Sequence, residues 1–186
     1  MAVICCCQVV SFPLVCFQPL MCYIELHFNF NEVKKFMTIY NLNSVLSEYS
    51  DDYLILDFNH LFISSSIREE IWLLRRKNDP ALLDKIMQEA RQFNVYEVSA
   101  DKDFETYSGG QQAILACLLT LAMIRDQKVF GLKLLLNNIL DSLSETNRSS
   151  LSGKFEQMRT THDMKLFTAE NGRIREIPLG NENPKR

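Results

Sequence analysis

No glycine occurs before Gly109 in this chain of 186 residues. More than half of the chain therefore lacks the residue that most readily adopts left-handed backbone or admits a close backbone approach. A glycine-rich phosphate-cradling loop is excluded from that part. Charge is also missing at the start, where Glu25 is the first charged side chain. No zinc-spaced Cys/His set is present: Cys5, Cys6, Cys7, Cys16 and Cys22 crowd together, and Cys117 stands alone in an apolar run. The three adjacent cysteines give no disulfide framework, so a reduced, cytoplasmic chain is expected, with Cys117 a small buried hydrophobe. No basic stripe stands out and the formal net charge is -3, which gives no support to a nucleic-acid partner. The one basic cluster, Arg75-Arg76-Lys77, reads as the solvated end of a helix.

What remains is ordinary globular material, 47% hydrophobic and 23% charged, enough for one well-packed domain. Residues 1–24 leave three readings open: a buried strand and turn, a membrane-proximal or acylated segment, or a loose tail from a mis-set start. A secretory leader is disfavoured by the missing positive charge and by Pro13 and Pro19. From Cys22 to Phe30 apolar residues alternate at 22, 24, 26, 28 and 30, the pattern of a strand with Glu25, His27 and Asn29 on its other face. Val33 to Tyr40 reads as a short helix or a second strand.

Further along, Tyr53 to Phe58 is near-continuously apolar, as in a strand covered on both faces. Ser66 is expected to cap a helix from Ile67 to Arg76, with Glu69 as the capping-box acid. Asp79 caps the next, from Ala81 to Phe93, behind Pro80. Helix 111–124 is followed by a second apolar strand, Leu132 to Leu136, and by a helix over Glu145 to Arg159 with a break near Gly153. Lys165 to Thr168 and Arg173 to Ile177 flank Asn171-Gly172, a strong hairpin cue. Strands separated by helices predict an α/β layered domain with a largely parallel central sheet. Ligands of such sheets gather beyond the strands' carboxyl ends. Asp57, Asn137, Asn138 and His162 all follow apolar runs, where such a site would lie.

The chain is organised around Tyr107-Ser108-Gly109-Gly110-Gln111-Gln112 and the uncharged run Ala113 to Ile124 behind it. A hydroxyl and two glycines opening a buried helix suit the presentation of amides and a helix N-terminus to an anion. The plainer reading is a tight turn into a core helix.

In order and spacing these features resemble an ATP-binding cassette (ABC) ATPase domain over roughly residues 53–177. Tyr107-Ser-Gly-Gly-Gln111 is similar to that family's signature motif, usually Leu-Ser-Gly-Gly-Gln. Leu132 to Leu136 sits where the family has its Walker B strand, with Asn137 and Asn138 in place of the magnesium-associated Asp and the catalytic Glu. Leu143-Ser144 matches the end of the D-loop, and Thr161-His162-Asp163 the switch histidine. His60 to Ile71 is similar to the stretch after the Q-loop, which puts Asp57 at the glutamine position. The resemblance implies a P-loop NTPase-like fold, truncated at its N-terminal part. Its expected organisation is an apolar Cys-rich segment over 1–30, a degenerate ABC-like domain over 31–178 and a loose tail over 179–186.

The departures decide what such a domain could do. A Walker A loop cannot lie upstream without glycine. Neutral Asn137 would hold a metal or its water weakly, and Asn138 cannot serve as a general base. Phosphoryl transfer depends on these electrostatic parts. The resemblance therefore implies a catalytically impaired homologue, not an autonomous ATPase. ATP and Mg²⁺ would be engaged only with a partner, an intact ABC ATPase domain and with it a transmembrane transporter subunit, at the inner face of a membrane. Ser108, Gly109, Gly110 and Gln111 are then the candidate nucleotide contacts, Asp57 and Asn137 weak metal-side positions, and His162 and Asn138 residual catalytic positions. Alternatives are an active ATP-binding transporter subunit, a small non-catalytic α/β interaction protein, and a decayed gene product.

Overall fold

The computed structural model describes residues 52–75, 77–126, 128, 130–170 and 173–177. The expectations for the strand at 22–30, the segment at 33–40, the hairpin turn at 171–172 and the tail lie outside the described residues, as do the terminal boundaries proposed for the domain.

Among the described residues four strands form one open sheet in the order β1 (Leu54–Asp57), β2 (Lys133–Asn137), β3 (Lys165–Glu170), β4 (Arg173–Glu176). The first three are parallel and β4 returns antiparallel to β3. This is an α/β domain with a mixed sheet. Leu54, Leu56, Leu134, Leu136 and Leu166 share one face and join the main core. The intervening residues, Ile55, Leu135 and Phe167, belong to the other face, as the two-residue period of a strand requires.

Among the described residues four helices supply the core's other half: α1 (Ile67–Arg75), α2 (Pro80–Gln92), α3 (Gly109–Asp126) and α4 (Glu145–His162). Asp79 caps α2 as expected, its carboxylate accepting from the Leu82 amide at 3.1 Å. The start of α1 differs from the simple capping box. Ser66 Oγ accepts from the Glu69 amide at 3.4 Å, but the Glu69 carboxylate takes the amide and hydroxyl of Ser65 instead. Glu70, buried, turns inward and accepts from Ser64 Oγ at 2.7 Å, Ser64 N at 3.0 Å and Ile63 N at 3.2 Å. Burial raises its pKa, while those three donors oppose the rise. One carboxylate thus fixes the loop between β1 and α1.

The polar stretch 94–107 carries more core than its composition suggests. Val95, Val98, Ala100, Phe104 and Tyr107 are all buried, and Phe104 stacks on Phe62 with centroids 3.5 Å apart.

Helix α3 is the most deeply buried helix among the described residues. Every residue from Ala113 to Ile124 is buried, because α3 packs against α2, α4 and the 3-10 turn Leu140–Ser142. A fully buried Leu or Ile contributes roughly 1.5–3 kcal/mol, so this segment anchors the domain. Burial also raises the pKa of Cys117, consistent with an inert thiol. Among the described residues no helix is long and apolar enough to cross a membrane.

Helix α4 runs unbroken through Gly153, contrary to the expected break: the glycine is exposed, and a Cβ there would meet nothing within 4 Å. It continues to His162 and stops at Asp163, whose left-handed backbone (φ 49°, ψ 42°) forms the C-cap. The stretch from Thr160 to His162 is therefore the last turn of a helix.

Candidate functional site

The carboxyl ends of β1 and β2 meet through two facing residues, Asp57 and Asn137. Asp57 is 2% exposed. Its Oδ1 accepts from Asn137 Nδ2 at 3.1 Å, the Asn59 amide at 3.1 Å and Asn59 Nδ2 at 3.4 Å. His60 Nδ1 stands 3.8 Å from its other oxygen. Buried carboxylates need such donors, because an unpaired charge in a low-dielectric interior is costly. The Asn137 amide thus has a structural occupation as the clasp between two strands. Asn138 follows it in left-handed conformation (φ 57°), exposed, at the point where the chain leaves the sheet.

The N-terminus of α3 arrives at the same end of the sheet. Phe58, which follows Asp57, donates its amide to Asn137 O at 3.1 Å and lies beneath Gly109. A Cβ on Gly109 would come within 3.1 Å of Phe58 Cζ, and one on Gly110 within 3.0 Å of the Ser142 carbonyl oxygen. Neither glycine has positive φ. The expected flexible point ahead of the helix is instead its first turn, and the glycines serve close approach to a ring and a backbone.

Ser108 and Gln111 form a reciprocal capping box. The Gln111 amide donates to Ser108 Oγ at 3.4 Å, and the Ser108 amide donates to Gln111 Oε1 at 3.0 Å. Gln112 Nε2 reaches back to Tyr107 O at 3.0 Å. Within the helix, the Gly109 and Gly110 amides precede the first residue that has a carbonyl four positions back, and they belong to the positive end of its dipole. Ser108 and Gly109 are exposed. Tyr107 is buried, its hydroxyl accepts from the Ser99 amide at 3.2 Å, and Lys102 Nζ lies 4.6 Å from its ring centre. The aromatic residue therefore holds a loop that an aliphatic one could not hydrogen-bond.

His162 lies at the other end of the sheet. Its carbonyl accepts from the Gly131 amide at 3.1 Å, and the Lys165 amide bonds Leu132 O, so it stands beside the amino ends of β2 and β3. Its ring stacks on Phe130 at 5.4 Å, and Nδ1 is 2.8 Å from Thr161 Oγ1. The length of β2, roughly 16 Å at ~3.3 Å per residue, separates it from Asp57 and Asn137. The structure thus gathers Asp57, Asn137, Asn138, Ser108, Gly109, Gly110 and Gln111 at one end and leaves His162 at the other.

Sequence reasoning missed Asn59, Phe58 and Ser142. The Asp-x-Asn spacing of an Asx turn could have found Asn59, whereas Phe58 and Ser142 meet the glycines only through tertiary packing. It also passed over Thr168, which pairs with Leu136 in the carboxyl half of β3. Among the described residues no group of three or more His, Cys, Asp or Glu side chains could hold a metal ion.

Compared with known proteins, the chain matches no protein-family model and no curated protein.

Proposed function

We propose that this chain is a degenerate ABC-type, P-loop NTPase-like domain that offers the N-terminus of α3 to ATP held by an intact ABC ATPase domain. The observation that carries this reading is the exposed, pre-ordered start of α3: a serine cap and two glycine amides at the positive end of an 18-residue helix. A polyphosphate presented by another surface would find donors there without reorganisation. Support also comes from the clasp beside it. With its amide committed to Asp57, Asn137 is poorly placed to serve a metal, which favours a half-site over the active transporter subunit. On this reading a transmembrane subunit is a further partner through the intact domain, and ATP with Mg²⁺ enters only in the complex.

The test uses Ser108→Asp. Aspartate is as good an N-cap as serine and is favoured by the helix dipole, so melting should be unchanged. The same carboxylate would repel a phosphate. The isolated chain should show no saturable ATP binding in equilibrium dialysis, with or without Mg²⁺. Mixed with hydrolysis-deficient cassette ATPase domains of its own genome, it should form a complex in size-exclusion chromatography only with ATP, and Ser108→Asp should abolish that complex. Micromolar ATP binding by the isolated chain, or a complex indifferent to Ser108→Asp, overturns the reading.

A second reading, a small α/β interaction protein, is favoured by the capping box itself, because Ser108 and Gln111 already satisfy each other. It predicts no ATP-dependent complex at all.

A further inference from the structure

The start of α3 rests on the loop between β1 and α1, and the two segments are zipped together along their length. The Phe104 amide donates to Ser65 O at 2.8 Å, and the Arg68 amide to Ala100 O at 3.0 Å. Phe62 stacks on Phe104, Arg68 Nε donates to Asp101 Oδ1 at 2.6 Å, and Phe58 lies beneath Gly109. The Phe104 carbonyl accepts in turn from the Tyr107 amide at 3.1 Å, one residue before the Ser108 cap. The loop's own shape is set by Glu70, which is 5% exposed and whose Oε2 alone takes the three donors of Ile63 and Ser64. Half-buried donors left without that acceptor would be costly, so carboxylate and loop hold together.

We propose that Glu70 is a positioning residue for the first turn of α3, setting the pose of the Gly109 and Gly110 amides through the loop and Phe104. The charge on its carboxylate is the variable. Ionised, it accepts charge-assisted bonds, which are shorter and roughly twice as strong as neutral ones. Protonated, it holds the same donors less tightly, and the Phe62–Phe104 stack carries the difference toward the Ser108 cap. The other titratable groups on the adjoining segments are engaged elsewhere. His60 stands beside Asp57, Glu69 holds Ser65, Arg68 holds Asp101, Lys102 holds Glu97, and Asp103 accepts from the Glu105 amide. Burial outweighs the three donors and keeps the Glu70 carboxyl above the ordinary glutamate value, which displaces its titration upward.

The use of that pose for nucleotide rests on the function proposed above, but the pose itself is read without nucleotide. In proton–nitrogen correlation spectra of the full chain, the Gly109 and Gly110 amides should titrate with the midpoint of the Ser64 amide, above the usual glutamate range. Glu70→Gln, neutral at every pH, should remove that inflection from all three while circular dichroism keeps the helical signal. Ser64→Ala, which deletes the donor at 2.7 Å, should move the glycine midpoint further up. Glycine resonances that stay flat through the Ser64 midpoint, or that titrate unchanged in either variant, overturn the proposal. In the ATP-dependent complex, Glu70→Gln should abolish the inflection of the pH profile at the same midpoint, and a profile identical to that of the wild type overturns the proposal as well. A chain that forms no such complex yet shows the coupled titration loses the function proposed above and keeps this inference.

Discussion

Helices α3 and α4 have the same length and the same kind of start, yet opposite relations to the core. Each has 18 residues, and a serine opens each: Ser108 for α3, and Ser144, whose Oγ accepts from the Asn147 amide at 3.4 Å, for α4. In α3 burial is continuous from Ala113 to Ile124, whereas α4 buries only Leu151, Phe155, Met158 and Arg159. Their glycines divide the same way. Gly109 and Gly110 are hemmed by Phe58 and by the Ser142 carbonyl, whereas Gly153 faces open space. A serine cap is thus common property of the two helices and says nothing of function alone. What distinguishes α3 is a crowded first turn beside the ends of β1 and β2.

The sharpest way to test that contrast is in the helix interiors. Leu115→Ala should cost about 3 kcal/mol in chemical denaturation, since Leu115 is wholly buried and the cavity cannot collapse against so dense a neighbourhood. Exposed Gln157→Ala in α4 should change stability by less than about 0.5 kcal/mol. Equal effects would contradict the difference in burial. Next in size is Gly110→Ala, expected to cost about 1–2 kcal/mol because a new methyl meets a backbone carbonyl that cannot swing aside. A neutral or stabilising result in a melting experiment would show that the Ser142 turn yields. The caps come third. Ser108→Ala and Ser144→Ala should each cost about 1 kcal/mol, and only the former should weaken the ATP-dependent complex proposed above. If both weaken it equally, the effect is stability and not contact. The smallest expected change is a gain: Gly153→Ala should stabilise by about 0.8 kcal/mol through helix propensity alone, read as a raised midpoint in denaturant.

The parts legible in the sequence were those whose signal is local. The uncharged run after Gly110 could be little else than a buried helix, and the apolar strands β1 and β2 announced themselves together with their parallel pairing. Asp79-Pro80 gave the start of α2, and the Asn-Gly spacing gave the β3–β4 hairpin. The glycine pair was legible as important but misread in kind, because its reason lies in Phe58 and Ser142, residues far away along the chain. Gly153 misled in the opposite direction, since a single glycine interrupts a helix only when the surroundings offer an alternative. His162 follows β2 in order, and order alone does not say at which end of a sheet a residue falls. The left-handed turn at Asp163, which sends the chain straight into β3, decided that.

The Asp57–Asn137 clasp has a historical consequence. If an ancestor carried an acid at position 137, as the resembled family does, simple reversion is now obstructed. Asn137→Asp would set two carboxylates within hydrogen-bonding distance in a buried setting, where like charges cannot both ionise. The variant would lose the amide donor and oblige one of the two buried carboxyls to hold a proton before regaining any metal ligand. Only a lineage that first replaced Asp57 with a neutral residue could take that step without loss. On that ancestry the pair would act as a ratchet, in which a substitution at one strand end closes the road back at the other.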